Sequence, residues 1–394
     1  LSQSPGHVVV APDKFKGSLS AAEVAAHVAR GLGPGVTVVA LPVADGGDGT
    51  VEAAVAAGFT RVEAQVTGPT GEPVRAAYAW REATEGEAGP TAVVELAEAS
   101  GLRRLPGGPG AGAPLTATTR GTGELVADAL WRGARRIVLG IGGSASTDGG
   151  TGMMRALGVR FLDAEGKELP DGGGALRLLD RIDTSGTLPL DGVEFVVACD
   201  VDNPLLGPYG AAAVYGPQKG ASPEEVEILE RALARLAAVA THTHGLAGAV
   251  EHDGVVRAMG VAGMPGAGAA GGTGFAALAF LRATFSPGIE YMLDLLGFDR
   301  RLEGARLVIT GEGALDGQTL RGKAPAGVAS AAAKAGVPVV AVCGRCDLDE
   351  EELNAAGITA AYPLTDLEPD RAVCLAEAGP LLERLAETVA RQHL

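Results

Sequence analysis

"HVVVAPDKFKGSLSAAEVAAHVARGLG", residues 7–33, decides the fold class. A β-branched run, "HVVVAP" (7–12), reads as a strand. Behind it, Ser20 and Glu23 stand at capping-box spacing before an Ala/Val pattern of helical period, with Gly31 or Gly33 as the stop. A strand feeding a capped helix is the first half of a βαβ unit, which requires parallel strands. "GVTVVALPV" and "TVEAAVAAG" repeat the pattern, and from about residue 290 it returns as "RLVITGEG", "APAGVASAAAKAG", "VPVVAVCG", "ITAAYPL" and a C-terminal helix. The expected class is α/β.

The middle of the chain differs. "RVEAQVTGPTGEPVRAAYAW" and "TAVVELAEASG" read as a β-meander turning at "GPTGEP". Helix "GTGELVADALWRG" and strand "RRIVLGIGG" follow, with further strands expected at "VRFLDAEG", "VEFVVACDVD" and "AAAVYGP". Ser222, Pro223 and Glu225 open the best-marked helix, and another, "FAALAFLRA", follows "GMPGAGAAGGTG". The expected organisation is a discontinuous Rossmann-like parallel-sheet domain, residues 1–62 and 290–394, around an inserted mixed α/β domain, residues 63–289.

Composition narrows the function. The 394 residues carry 46% hydrophobic and 20% charged side chains, enough to bury a sizeable core. A net charge of −16 argues against nucleic acid or an anionic membrane surface as partner. No apolar run is long enough to span a bilayer, and "LSQSPGHVVV" lacks the basic start and apolar stretch of a signal peptide. Four cysteines, at 199, 343, 346 and 374, are too few for a disulfide framework, so a cytoplasmic protein with reduced thiols is expected.

In open α/β sheets ligands bind beyond the carboxyl ends of the strands. The loops there share one chemistry: "PDKFKGS" with Asp13, Lys14 and Lys16; "ADGGDGT" with Asp45 and Asp48; "IGGSASTDGGTG" with Ser144, Ser146, Thr147 and Asp148; "CDVDNP" with Asp200, Asp202 and Asn203; "GEGALDGQT" with Glu312 and Asp316. Carboxylates suit Mg²⁺, glycine amides suit an anion, and lysines neutralise a transferring phosphoryl group. Each loop read singly is also ordinary turn chemistry.

Several motifs compete. "GQTLRGKAP" (317–325) has P-loop spacing, but Ala324 stands where the metal-binding hydroxyl belongs and Gly317 does not follow its strand directly. Lys323 there either reaches a phosphate or is a solvated loop lysine. "GIGGSA" (140–145), with Asp163 after the next strand, fits a dinucleotide fingerprint and supports an NAD-dependent oxidoreductase acting on a small hydroxy acid. "GAGAAG" (266–271) fits the same pattern without a clear strand before it. "CGRC" (343–346) has no second cysteine pair, and "HTHG" (242–245) with His252 reads as surface histidines. A sugar-acid binding protein without catalysis is a third alternative.

Taken in order, "APDKFKGSLSA", "VADGGDGTVEA", "GIGGSASTDGGTGM", "ACDVDNPLLGPYGAAAVYGPQKGA", "GAGAAGGTG" and "LVITGEGALDGQTLRGKAP" resemble the motifs of the bacterial glycerate kinase family of the first type. The resemblance runs from about residue 8 to about 345. It implies ATP-dependent phosphorylation of D-glycerate, Mg²⁺, two α/β domains with the active site in a cleft, and no P-loop. Small-molecule partners follow, 2-phosphoglycerate is favoured over 3-phosphoglycerate, and a homo-oligomer is left open.

On that reading Lys16 neutralises phosphate, and Asp200 is a general base or metal ligand. Asp45, Glu312 and Asp316 are further metal or water-shell carboxylates. Ser144, Asp148 and Asn203 bind polyol or phosphate, Gly142 and Gly143 donate amides, and Lys219 and Lys323 meet the glycerate carboxylate or an ATP phosphate. Lys14, where serine is common, Asp48, where glutamate is common, and Ala314, where a basic residue is frequent, depart from the family pattern.

Overall fold

The computed structural model describes residues 6–108, 113–244, 249–252, 255–258 and 260–394. Two compact units emerge from its contacts: residues 1–45, 52–59 and 287–394 form one, and residues 46–51 and 60–286 the other.

The first unit holds a five-stranded, all-parallel sheet in the order Ala360–Pro363, Val339–Cys346, Ala305–Leu315, His7–Pro12, Val38–Ala40. Val8 to Ala11 are fully buried, as an interior strand covered on both faces requires. The Ala21–Leu32 helix begins with the expected capping box: Glu23 N–H donates to Ser20 Oγ (3.3 Å) and Ser20 N–H to Glu23 Oε2 (2.8 Å). Gly33, at φ 83°, ends it. Val24 and Val28 from this helix and Leu382 and Leu385 from Ala378–His393 share one core with Val8, Val10, Leu307, Ile309, Val340 and Val342. A side chain at Gly31 could not be accommodated, because its Cβ would fall 2.2 Å from the Glu383 carbonyl oxygen.

The second unit is built on a six-stranded mixed sheet. Thr284–Ser286, Glu194–Ala198, Arg136–Gly140 and Thr91–Glu95 run parallel, and Pro73–Arg81 and Thr60–Thr67 complete it antiparallel. The last two form the expected hairpin, with Thr67 opposite Pro73 across "GPTGEP". Tyr78, Leu125, Ile137, Leu139, Met153, Phe161 and Phe275 are fully or almost fully buried in its core. The Pro223–His244 helix opens as expected, Glu225 N–H donating to Ser222 Oγ (3.2 Å) and Ser222 N–H to Glu225 Oε2 (2.9 Å).

Three expectations need correction. "AAAVYGP" is not a strand: Ala211–Tyr215 is a short helix. Alanine prefers helix, and here Ala211 and Ala212 pack into the core while Tyr215 Oη donates to Asn203 Oδ1 (2.7 Å). "VRFLDAEG" supplies only Arg160–Leu162, paired with Arg181–Asp183 in a two-stranded ribbon outside the main sheet. The strand expected to end at Thr310 continues to Leu315, because Ala314 and Leu315 still pair with Arg345 and Cys346.

Candidate active site

In the parallel-sheet unit the carboxyl ends of the strands gather acids and lysines. Asp13 follows the His7–Pro12 strand, and its N–H donates to the Gly311 carbonyl oxygen of the neighbouring strand (2.8 Å). Its Oδ1 accepts from the Lys14 amide (2.6 Å) and lies 3.8 Å from Lys14 Nζ. Burial raises the Asp13 carboxyl to about 6, with Asp45 adding to the rise and Lys14 and Lys323 opposing it. Glu312, 8% exposed, accepts a hydrogen bond from Thr319 Oγ1 (2.5 Å). Burial likewise raises its carboxyl, to about 7, against Thr319 and Lys323 and with Asp13 and Asp316. Asp316 Oδ1 accepts from Gln318 N–H (2.8 Å).

These groups feel one another, so the structure unites Asp45, Glu312, Asp316 and Lys323 in one electrostatic neighbourhood and adds Asp13 and Lys14. Lys323 is the N-cap of the Ala324–Lys334 helix, with Pro325 in its first turn. Lys16 stands apart: it is exposed on the turn bridged by Phe15 and Leu19 and makes no hydrogen bond or ion pair among the described residues.

In the mixed-sheet unit the Arg136–Gly140 strand runs into the loop that carries Gly142, Gly143, Ser144 and Asp148. Asp148 is fully buried and accepts four hydrogen bonds: from Thr119 N–H (2.9 Å) and Oγ1 (2.8 Å), Gly150 N–H (3.0 Å) and Gly152 N–H (3.1 Å). It therefore ties the start of Arg120–Trp131 to the start of Thr151–Ala156. Burial pushes its carboxyl up, opposed by those same bonds. Asn203 is spent locally as well, donating to the Tyr209 carbonyl oxygen (2.8 Å) and accepting from Tyr215 Oη (2.7 Å). Asp200 is exposed just beyond the Glu194–Ala198 strand.

Gly143, at φ 72°, is exposed at the loop's outer turn. Gly142 is packed so closely that a Cβ there would lie 2.6 Å from Gly47 Cα. Backbone cannot yield as a side chain can, so Gly142→Ala is expected to cost at least about 1–3 kcal/mol and at least tenfold in turnover. Chemical denaturation beside a rate assay checks this.

Lys219 is 2% exposed; its Nζ donates to the Ser146 carbonyl oxygen and lies 3.4 Å from Ser144 Oγ. Burial lowers the amine from 10.5 to about 7, with Asp148 opposing the shift. The sign is that of a depressed base: the cost of burying the charge is fully present below pH 7 and relieved as pH rises from about 7 towards 10.5. Unfolding free energy is expected to show this upward contribution between pH 7 and 10, and Lys219→Met to lack it.

The rival motifs do not gain support from their surroundings. After "GIGGSA" no helix starts until Thr151, preceded by Gly150 in the left-handed region, so the fingerprint's glycine-to-helix geometry is missing. Asp163 Oδ1 accepts from Glu165 and Lys167 N–H (both 2.9 Å), capping its own turn in the two-stranded ribbon. "GQTLRGK" passes through a 3-10 turn, Thr319–Arg321, rather than a P-loop. Among the described residues no group of three or more His, Cys, Asp and Glu converges as a metal cage. Of the "HTHG" stretch, His242 is exposed on the Pro223–His244 helix, as a surface histidine should be. Gly245 and the side chains of Thr243, His244 and His252 lie outside the described residues.

Two residues to which the sequence gives no role in the site are Asp13 and Glu95. Asp13 was visible as a loop acid beside Lys14, but its burial was not. Glu95 lies in "TAVVELAEASG", which reads only as part of the β-meander; the fold shows that it is fully buried.

Strand-end carboxylates, lysines and glycine turns without a P-loop are the equipment of phosphoryl transfer to a small molecule, and the chain is a phosphotransferase of that class. It belongs to the glycerate kinase family, whose sequence profile matches residues 8–394. It is 44% identical over 388 residues to the glycerate kinase of Bacillus subtilis (strain 168), across 97% of this chain and 96% of that one. The glycerate 2-kinase of Escherichia coli (strain K12) is 44% identical over 361 residues, across 90% and 89% of the two chains. Among solved structures, a protein from Salmonella typhimurium LT2, provisionally named glycerate kinase 2, superimposes with a TM-score of 0.81 at 40% identity over 98% of both chains. Among the described residues no helix is long and apolar enough to cross a membrane.

Proposed function

We propose that the protein transfers the γ-phosphoryl group of ATP, with Mg²⁺, to the 2-hydroxyl of D-glycerate, and that it works in the cytoplasm. The observation that carries this reading is the buried acid group of the parallel-sheet unit, with Asp13 raised to about 6 and Glu312 to about 7 beside Lys323. Such acids are short of positive charge. The donors here are carboxylate oxygens, which suit Mg²⁺, an ion that takes one or two carboxylates and leaves the rest of its shell to water and phosphate. Glu312 and Asp316 would hold the ion in this unit, and Asp200 is the candidate ligand or general base in the other. The bound ion supplies charge neutralisation at the phosphates.

The remaining roles rest on this chain's own groups. Lys16, exposed and uncommitted among the described residues, is assigned to the transferring phosphoryl group. Amides of Gly142 and Gly143 are assigned to an oxyanion, and Lys323, at a helix start, to a phosphate or carboxylate. Asp45 remains a carboxylate of the metal's water shell. Asp148 and Asn203 already satisfy protein donors and acceptors, so they act by holding their loops. Lys219 lies beneath the loop and acts through Ser144, whose hydroxyl faces its amine.

The 2-position draws support from the Escherichia coli relative, which carries the name glycerate 2-kinase. Four free cysteines support the cytoplasmic placement. ADP release by the purified protein is expected to require D-glycerate and to stop when EDTA removes divalent cations. Turnover indifferent to EDTA, or to the omission of ATP, would overturn the cofactor assignment.

A further inference from the structure

Glu95 ends its strand in register with Gly140, the last residue of the parallel neighbour, and is fully buried. A carboxylate in that position is costly unless its charge is paired and its oxygens are hydrogen-bonded. Here Oε2 accepts the backbone N–H groups of Gly49 (3.2 Å) and Val51 (3.1 Å), and Oε1 accepts from Arg103 Nη2 (3.2 Å). Arg103 also pairs with Asp48 (3.2 Å) and Glu98 (2.7 Å). Its neighbour Leu102 donates to the Gly143 carbonyl oxygen (2.9 Å).

The segment that Glu95 grips is wedged at its other end. Gly142 N–H donates to the Gly46 carbonyl oxygen (3.3 Å), and a Cβ at Gly46 would fall 2.2 Å from the Ala198 carbonyl oxygen. One buried acid therefore fastens three loops together: residues 46–51, 101–104 through Arg103, and, through those two, the glycine turn at 142–143.

We infer that Glu95 is a positioning residue for phosphoryl transfer, setting the height and tilt of the glycine turns that present amides to the reacting anion. This rests on the function proposed above. Glu95 touches no substrate on this account; it acts through backbone. Displacing such a turn by about an ångström is enough to cost about a hundredfold in rate.

Glu95→Gln tests it, since the amide oxygen can still accept from Gly49 and Val51 while the new NH₂ faces the Arg103 donor. The variant is expected to stay folded, with kcat down at least tenfold and KM for glycerate and ATP each within about threefold. Hydrogen exchange of the 46–51 peptide is expected to quicken in the same variant. Unchanged kcat with unchanged exchange overturns the inference, as does a loss of kcat that only tracks a loss of folded protein. Should the wild-type protein release no phosphoglycerate, the proposed function falls; exchange that stays slow in Glu95→Gln would then overturn the positioning role independently.

Discussion

Lys16→Ala is expected to lower turnover by at least about a hundredfold while leaving the unfolding free energy within about 0.5 kcal/mol of the wild type. The asymmetry follows from where the side chain stands. Lys16 is exposed on the Phe15–Leu19 turn and holds no described partner, so its removal breaks no internal bond. The turn itself is kept by backbone, Phe15 N–H donating to the Leu19 carbonyl oxygen (2.9 Å), and by Phe15, which is 3% exposed. A lysine whose ammonium is idle in the free protein but meets charge that develops during transfer contributes to the transition state alone. Steady-state kinetics beside a denaturation curve separates the two effects. Near-normal turnover would place Lys16 outside the site.

Glu312→Gln is expected to trade stability for activity in the opposite sense. The carboxyl of Glu312 is raised to about 7 by burial, so the fold prefers it protonated. That preference contributes stability in full below the ordinary carboxyl range near 4.5 and loses it as pH rises through 7. At pH 8 the ionised side chain costs the fold about 2 kcal/mol, after allowance for residual solvent. Glutamine keeps an acceptor for Thr319 Oγ1 and carries no charge, so the metal-free variant at pH 8 is expected to melt several degrees higher than the wild type. Its turnover with Mg²⁺ is expected to fall at least about a hundredfold, since a ligand charge is lost. A variant no more stable at pH 8 would show that the burial is relieved by other means, and full activity would remove Glu312 from the metal's surroundings.

What the sequence made legible was local. Both capping boxes, at Ser20–Glu23 and Ser222–Glu225, form as read, because each needs only residues three apart. The "HVVVAP" strand is bounded as expected, since a β-branched run between turn residues has few other uses. Readings that depended on partners distant in sequence fared less well. Nothing in "AAAVYGP" signals that Ala211 and Ala212 will pack into the core of the mixed-sheet unit, and nothing after Thr310 signals that the next strand will prolong the pairing to Leu315.

The site divides the same way. Strand-end loops announced their carboxylates and lysines by residue type, but burial decides what each can do. Lys219 reads as a partner for the glycerate carboxylate or an ATP phosphate and is almost fully enclosed; Asp13 reads as a loop acid and is pushed up to about 6. Glu95 gave no signal at all, because the amides of Gly49 and Val51 that give it a purpose lie more than forty residues away.

Phosphorus NMR of the purified protein incubated with D-glycerate, ATP and Mg²⁺ tests the central claim most directly. The expected result is loss of the ATP γ-signal and growth of one phosphomonoester signal, split as a doublet by the single proton on the carbon of the 2-hydroxyl. A triplet, from a phosphate on the terminal CH₂, would contradict the 2-position, and intact ATP beside folded protein would contradict the kinase chemistry itself.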